Sequence, residues 1–200
     1  MTPLPPPLGS GALVLWRVDR ATFARSWDSG EGGYVAGGRW NSRGVRAVYA
    51  ALDPSTAILE VAVHTGFEAL DRVPHVLTSA RIIDAANVHV VGVDAVANPD
   101  WLKPGAVDAA QQAFGDSLLK AHAFVLLPSV VSRHSWNVLF DPTRAKGSYR
   151  QSSQELLTLD PPARAGSGSR MTPPVAQRIG WVQPLRRCPS TALAAGADSR

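Results

Sequence analysis

The sequence predicts a compact α+β fold, mixed in character, with short strands and a few helices. Three observations carry that expectation. Apolar runs of strand length recur along the chain. Two longer stretches between them have helical patterning. The two kinds of segment do not alternate in the regular order of parallel βαβ units. At 200 residues, 45% hydrophobic and 18% charged, the chain suits one globular domain with an appendage.

Leu13-Val14-Leu15-Trp16-Arg17-Val18 is a short apolar run that carries an arginine near its end. Residues 28–44 read as a Gly-rich loop, and within it sits Gly37-Gly38-Arg39-Trp40-Asn41. Ala47-Val48-Tyr49-Ala50 is a second small strand. Asp53-Pro54-Ser55 opens a helix, because Asp is a good N-cap and Pro fits the first turn. The helix runs from about Pro54 to Thr65 and stops at Gly66. Residues 76–83 and 88–93 read as strands, and residues 106–120 as an amphipathic helix. Ala123 to Leu127 is a buried strand ending at Pro128-Ser129. Residues 136–140 and 155–159 read as the last strands, and no internal repeat is present.

The composition changes near Asp160. Residues 161–200 carry six arginines and one acid, a net of +5, against +4 for the whole chain, so residues 1–160 are close to neutral at −1. The tail is rich in Pro, Gly and Ser, a texture that predicts disorder. The Pro-rich residues 1–10 receive the same reading, leaving 11–160 as the folded body. The basic character belongs to the tail, so whole-chain charge is weak grounds for a nucleic-acid function. One cysteine, Cys188, excludes an internal disulfide framework and a Cys-based zinc site, and fits a reducing cytosol. Neither a membrane span nor a signal peptide is expected. The expected location is cytoplasmic.

Several chemistries find no support. There is no Walker A loop, no G-x-G-x-x-G and no G-x-S-x-G elbow. The five histidines are scattered, and none has a metal-ligand spacing with carboxylates, so no metal is expected. What remains is a small set of acids. The body has four glutamates, and Glu60 lies inside Ala57-Ile58-Leu59-Glu60-Val61-Ala62-Val63. Burying a carboxylate is costly unless it is paired. Glu60 therefore either points to water at the edge of the helix or is partly buried against an arginine. Arg17 and Arg39 are the candidates. Glycines beside Arg39 would let the backbone approach a ligand, and an arginine can pair bidentately with phosphate. Taken alone, Gly-Gly-Arg-Trp is equally a turn before a packed Trp. Tyr49 alone reads as core, and Ser129 as a turn serine at a strand end, a common place for functional groups.

Taken together, these residues resemble the RES domain family, named for an Arg, a Glu and a Ser. The resemblance rests on Trp16-Arg17, Gly37-Gly38-Arg39-Trp40-Asn41-x-x-Gly44, Val48-Tyr49-Ala50 and Ala57-x-x-Glu60-x-x-Val63-His64. It continues through Leu127-Pro128-Ser129 and Asn137-x-x-Phe140-Asp141-Pro142, and covers residues 13 to 160. Two features depart from the family pattern. Asp141 stands where an Asn is usual, and Pro161-Pro162 precedes an extra tail.

The resemblance implies a fold similar to ADP-ribosyltransferase toxins and a role as the toxin of a bacterial toxin–antitoxin pair that depletes NAD⁺. NAD⁺ would be substrate, with no cofactor. The partner would be an Xre-type helix-turn-helix antitoxin in a hetero-oligomer, and DNA would be met only through that antitoxin. Cleaving the nicotinamide–ribose bond builds positive charge on the ribose. Glu60 would stabilise that state, with Arg17 and Ser129 as further catalytic residues. Arg17, Gly38, Arg39, Asn41, Tyr49, Ser129 and Asn137 would bind the dinucleotide, the arginines holding the pyrophosphate or orienting Glu60. The acceptor is water or phosphate. Two alternatives stay open: transfer of ADP-ribose to a protein, and an inactive RES body that only binds.

Overall fold

The computed structural model describes residues 12–159, apart from positions 97, 102, 104, 106 and 133. The expectations for residues 1–10 and 161–200 fall outside the described residues. Strand β1 (Val14–Arg20) is followed by a 3₁₀ turn and a short helix α1 (Glu31–Ala36). Then come β2 (Val48–Ala51), α2 (Pro54–Thr65), α3 (Phe67–Arg72) and β3 (His75–Ile82). Strand β4 (Val88–Val90), α4 (Ala109–Ala121), β5 (Phe124–Pro128), β6 (Trp136–Phe140) and β7 (Tyr149–Leu157) complete the domain. The α+β expectation holds. Among the described residues no helix is long and apolar enough to cross a membrane.

Among the described residues, seven strands form one sheet in the order β4-β5-β6-β2-β1-β3-β7. All neighbours are antiparallel except β4 and β5. The pairing of β1 with β2 is minimal, a single register pair, Trp16 with Ala51, whereas β1 and β3 pair over seven residues. The sheet therefore opens between β1 and β2, where the Arg17 guanidinium reaches the Tyr49 carbonyl.

Strand alternation divides the core. Phe124, Leu126, Val138 and Phe140 join Leu13, Leu15 and Trp27 in one cluster. Val125, Leu127 and Leu139, offset by one, join Trp40, Trp101 and Leu119 in another. A third cluster, including Val18, Ala51, Ala57, Ala62 and Leu77, seats α2. Asp53 caps α2 as expected, accepting from the Thr56 N–H at 2.8 Å and the Thr56 hydroxyl at 2.6 Å.

The segment read as a Gly-rich loop contains α1, and helix α4 holds the residues just after α1. Gln112 Nε2 donates to the Gly38 carbonyl at 2.8 Å, and Asp116 Oδ1 accepts from the Ser42 N–H at 3.0 Å. Between them, a Cβ on Gly115 would lie 1.9 Å from the Trp40 carbonyl oxygen. Backbone meets backbone here, so no side-chain shift relieves the clash. Gly115→Ala is expected to lose about 3 kcal/mol by overpacking, a fall in Tm of roughly 6–12 °C. A thermal melt checks it. An unchanged Tm would show that the helix does not hold this loop so closely.

Candidate active site

Glu60 lies on α2, with its side chain 23% exposed. Its Oε1 accepts two hydrogen bonds: from Ser129 Oγ at 2.9 Å and from Asn137 Nδ2 at 2.5 Å. Both donors are fixed by the sheet. Ser129 follows the last residue of β5 and is fully buried. Its N–H donates to the Ser135 carbonyl, and its Oγ accepts from the Ser132 N–H. Asn137 sits mid-strand on β6, opposite Ala51 on β2 and Leu127 on β5. The Oδ1 of Asn137 is buried without a hydrogen-bond partner among the described residues. Rotating the amide would set that oxygen against the carboxylate, so the observed orientation is the electrostatically favoured one.

The carboxylate is thus held by one oxygen. Oε2 faces His64, one turn on, with Nε2 4.0 Å away and an imidazole 73% exposed. This arrangement leaves an oriented, partly buried carboxylate whose Oε2 has no hydrogen-bond donor among the described residues.

Sequence reasoning left Glu60 facing either water or an arginine. The structure does neither wholly: its direct partners are a hydroxyl and an amide. Arg39 is half-buried, with Nη1 donating to the Trp101 carbonyl at 2.9 Å. Burial lowers the pKa of its guanidinium, while Glu60 and then Tyr49 act in the opposite direction. Arg39 therefore senses Glu60 electrostatically without a hydrogen bond to it.

Of the two roles expected for Arg17, holding a pyrophosphate or orienting Glu60, the second has no direct contact behind it: no hydrogen bond or ion pair joins Arg17 to Glu60 among the described residues. Arg17 forms a bidentate pair with Asp19, Nε to Oδ2 at 2.9 Å and Nη2 to Oδ1 at 2.6 Å. Its Nη1 donates to the Tyr49 carbonyl at 2.6 Å. Residues two apart on a strand share a face, so Asp19 is the nearer carboxylate. The Tyr49 carbonyl is available because β1 and β2 separate there. Burial raises the pKa of Asp19, with Arg17 and more weakly His75 opposing. Asp19 stands outside the set of glutamates that the sequence marks as unusual. Its signal was Arg-x-Asp on an apolar strand.

Tyr49, Asn41 and Gly38 form a unit that builds the loop. The Tyr49 hydroxyl donates to Asn41 Oδ1 at 2.7 Å and accepts from the Trp40 N–H at 3.0 Å. Burial pushes the phenol well above the usual tyrosine range. Asn41 is fully buried, and its Nδ2 lies within 3.1 Å of the carbonyls of Gly33, Ser42 and Val45. A Cβ on Gly38 would sit 2.5 Å from the Tyr49 hydroxyl, so glycine is required there by this internal contact. These polar groups position Arg39. The Asn41 side chain and the Tyr49 hydroxyl are already occupied within the protein. Among the described residues, no group of three or more His, Cys, Asp or Glu side chains could hold a metal ion.

The RES domain family model matches residues 14–160. A protein of Sphingobium sp. named Prs ADP-ribosylating toxin is 36% identical over 149 residues, covering 66% of this chain and 85% of that protein. A protein of Pseudomonas putida named Toxin Res is 30% identical over 150 residues, covering 74% and 97%. Another Toxin Res, from Photorhabdus laumondii, is 29% identical over 135 residues, covering 65% and 82%. Among solved structures, the M. tuberculosis MbcT–MbcA toxin–antitoxin complex includes a chain with a similar fold. The TM-score is 0.60 at 19% identity, over 74% of this chain and 85% of that one.

Proposed function

The chain belongs to the RES domain family, and from that membership we propose that it is the toxin of a toxin–antitoxin pair and acts by cleaving the nicotinamide–ribose bond of NAD⁺. The toxin names of its relatives support the first part. One observation carries the second: the Glu60 carboxylate, fixed through Oε1 by Ser129 and Asn137, with no hydrogen-bond donor to Oε2 among the described residues.

As the bond to nicotinamide lengthens, the ribose gains positive charge in an oxocarbenium-like state. A fixed carboxylate stabilises that charge more than it stabilises the neutral ribose of the ground state, which lowers the barrier. Its two neutral donors need not reorganise during the step. The electron pair of the breaking bond neutralises the pyridinium, so nicotinamide leaves without a proton donor. Water then gives ADP-ribose and a proton, and phosphate gives ADP-ribose 1-phosphate. Arg39 would meet the pyrophosphate, since its only hydrogen bond among the described residues is to Trp101. Arg17 stiffens the opening between β1 and β2. The proposed partner is an Xre-type antitoxin that covers this opening.

Asn137→Ala should separate orientation from binding. Losing one hydrogen bond to a charged group removes about 1.5–3 kcal/mol. If this falls on the transition state, kcat drops roughly 10- to 100-fold with KM little changed. A rise in KM alone would place Asn137 in substrate binding instead.

A second reading, transfer of ADP-ribose to a protein, is favoured by the name of the Sphingobium relative. Incubating the full chain with adenylate-labelled NAD⁺ and a cell extract tests both. Cleavage to water or phosphate predicts label in ADP-ribose or its phosphate. Label retained on protein would replace this reading with the second.

A further inference from the structure

Beyond the far end of β5 from Glu60 lies a polar pocket to which the proposed reaction gives no role. His122 precedes the first residues of β5 and Ser129 follows its last. At about 3.3 Å per residue the two are roughly 20 Å apart along the strand. The pocket has a volume of about 440 Å³, and its lining includes Asn87, His89, His122, Arg144 and Ser148. The imidazoles of His89 and His122 stack face to face, centroids 4.0 Å apart and planes within 6°. Arg144 Nη1 lies 3.5 Å from the Ala121 carbonyl, where its charge offsets the negative end of α4.

Among the described residues, no carboxylate lines this pocket. The nearest acid in sequence, Asp84, caps the Ala85–Asn87 turn through the Ala86 N–H and the Asn87 amide. Lys120 lies in the last turn of α4. A guanidinium beside two imidazoles opposes a bound cation and favours an anion. Stacked rings are also a poor place for two protons, unless an anion offsets them.

We propose that this pocket binds the phosphate group of a small molecule through the Arg144 guanidinium and the ring N–H groups of His89 and His122. Asn87 and Ser148 supply neutral hydrogen-bonding groups. The lowered pKa of His122, caused by burial and then by His89 and Arg144, sets the direction of its pH dependence. An anion bound against His122 favours its protonated form, so binding strengthens as pH falls through the histidine range.

The test follows the histidine Cε1–H resonances of the full chain by NMR while inorganic phosphate or AMP is added. Phosphate is expected to move His89 and His122 together; any shift of His64, beside Glu60, reports separately on the proposed active site. Affinity should be about tenfold or more higher at pH 6 than at pH 8. Arg144→Ala, an exposed change whose spectrum reports folding directly, should weaken binding about tenfold or more. Tighter AMP binding would identify a nucleotide as the occupant, and equal binding would identify phosphate alone. Either supports the proposal. It is overturned if neither probe moves the two histidines at millimolar concentration, if Arg144→Ala has no effect, or if zinc moves them and phosphate does not.

Discussion

Glu60→Gln should reduce nicotinamide release from NAD⁺ by a factor of about 10²–10³ or more, while leaving the protein folded. The magnitude is that of removing one fixed electrostatic group from a developing charge. The fold should survive because the Gln carbonyl oxygen can occupy the position of Oε1. There it still accepts from Ser129 and Asn137. What is lost is the charge, and with it the stabilisation of the ribose cation. Product release is read by chromatography on purified protein, and folding by a thermal melt. A variant with an unchanged Tm and an unchanged rate would remove Glu60 from the mechanism.

Arg17→Ala should have the largest effect on stability. The Arg17 and Asp19 side chains are 26% and 9% exposed, so removing the guanidinium leaves an acid buried without its principal partner. Breaking such a pair costs about 3–5 kcal/mol. The pH dependence has a definite sign. Asp19 already titrates above its ordinary range because of burial. A group with a raised pKa in the folded state contributes stability below its unfolded pKa, and that contribution is lost as pH rises through the folded value. Without Arg17 the raised value rises further, so the variant should be least stable near neutrality. It should recover toward wild type as the pH approaches 4. Adding Asp19→Asn should restore much of the loss at pH 7. Denaturant unfolding of both variants across pH measures this, and a flat difference would contradict it.

Much of the framework was legible because strong local signals and tertiary packing agree. Asp53, Pro54 and Gly66 bracket α2 in the sequence, and the helix has the expected bounds. Strand β6 likewise runs from Trp136 to Phe140 as read. Where the sequence misleads, a tertiary contact is the cause. Helix α1 hides in glycines because its packing needs one: a Cβ on Gly33 would lie 2.6 Å from the Ala47 carbonyl oxygen. Strand β7 begins at Tyr149, six residues before the predicted start, because an edge strand with exposed polar residues shows no apolar run. The fourth strand ends at Val90, and a 3₁₀ turn takes Val93–Ala95.

The site was legible mainly as a set of residues. Local pattern marked Glu60 as unusual, but its donors come from 69 and 77 residues away, a distance no local pattern spans. The resemblance supplied Ser129 and Asn137, and the structure adds that both hold the same carboxylate oxygen. Sequence pattern left Arg17 open between a pyrophosphate and Glu60; its contacts are with Asp19, a strand neighbour two residues away, and with the Tyr49 carbonyl. The roles of Gln112 and Asp116 in holding the Arg39 loop had no sequence signal beyond polar positions on an amphipathic helix.

The central claim is that Glu60 drives consumption of NAD⁺. The most direct measurement is intracellular NAD⁺ shortly after induction of the wild-type chain and of Glu60→Gln at matched expression. A rapid fall with wild type, absent with Glu60→Gln, is the predicted result. Steady NAD⁺ in cells that contain folded wild-type protein, or an equal fall with both chains, would contradict it.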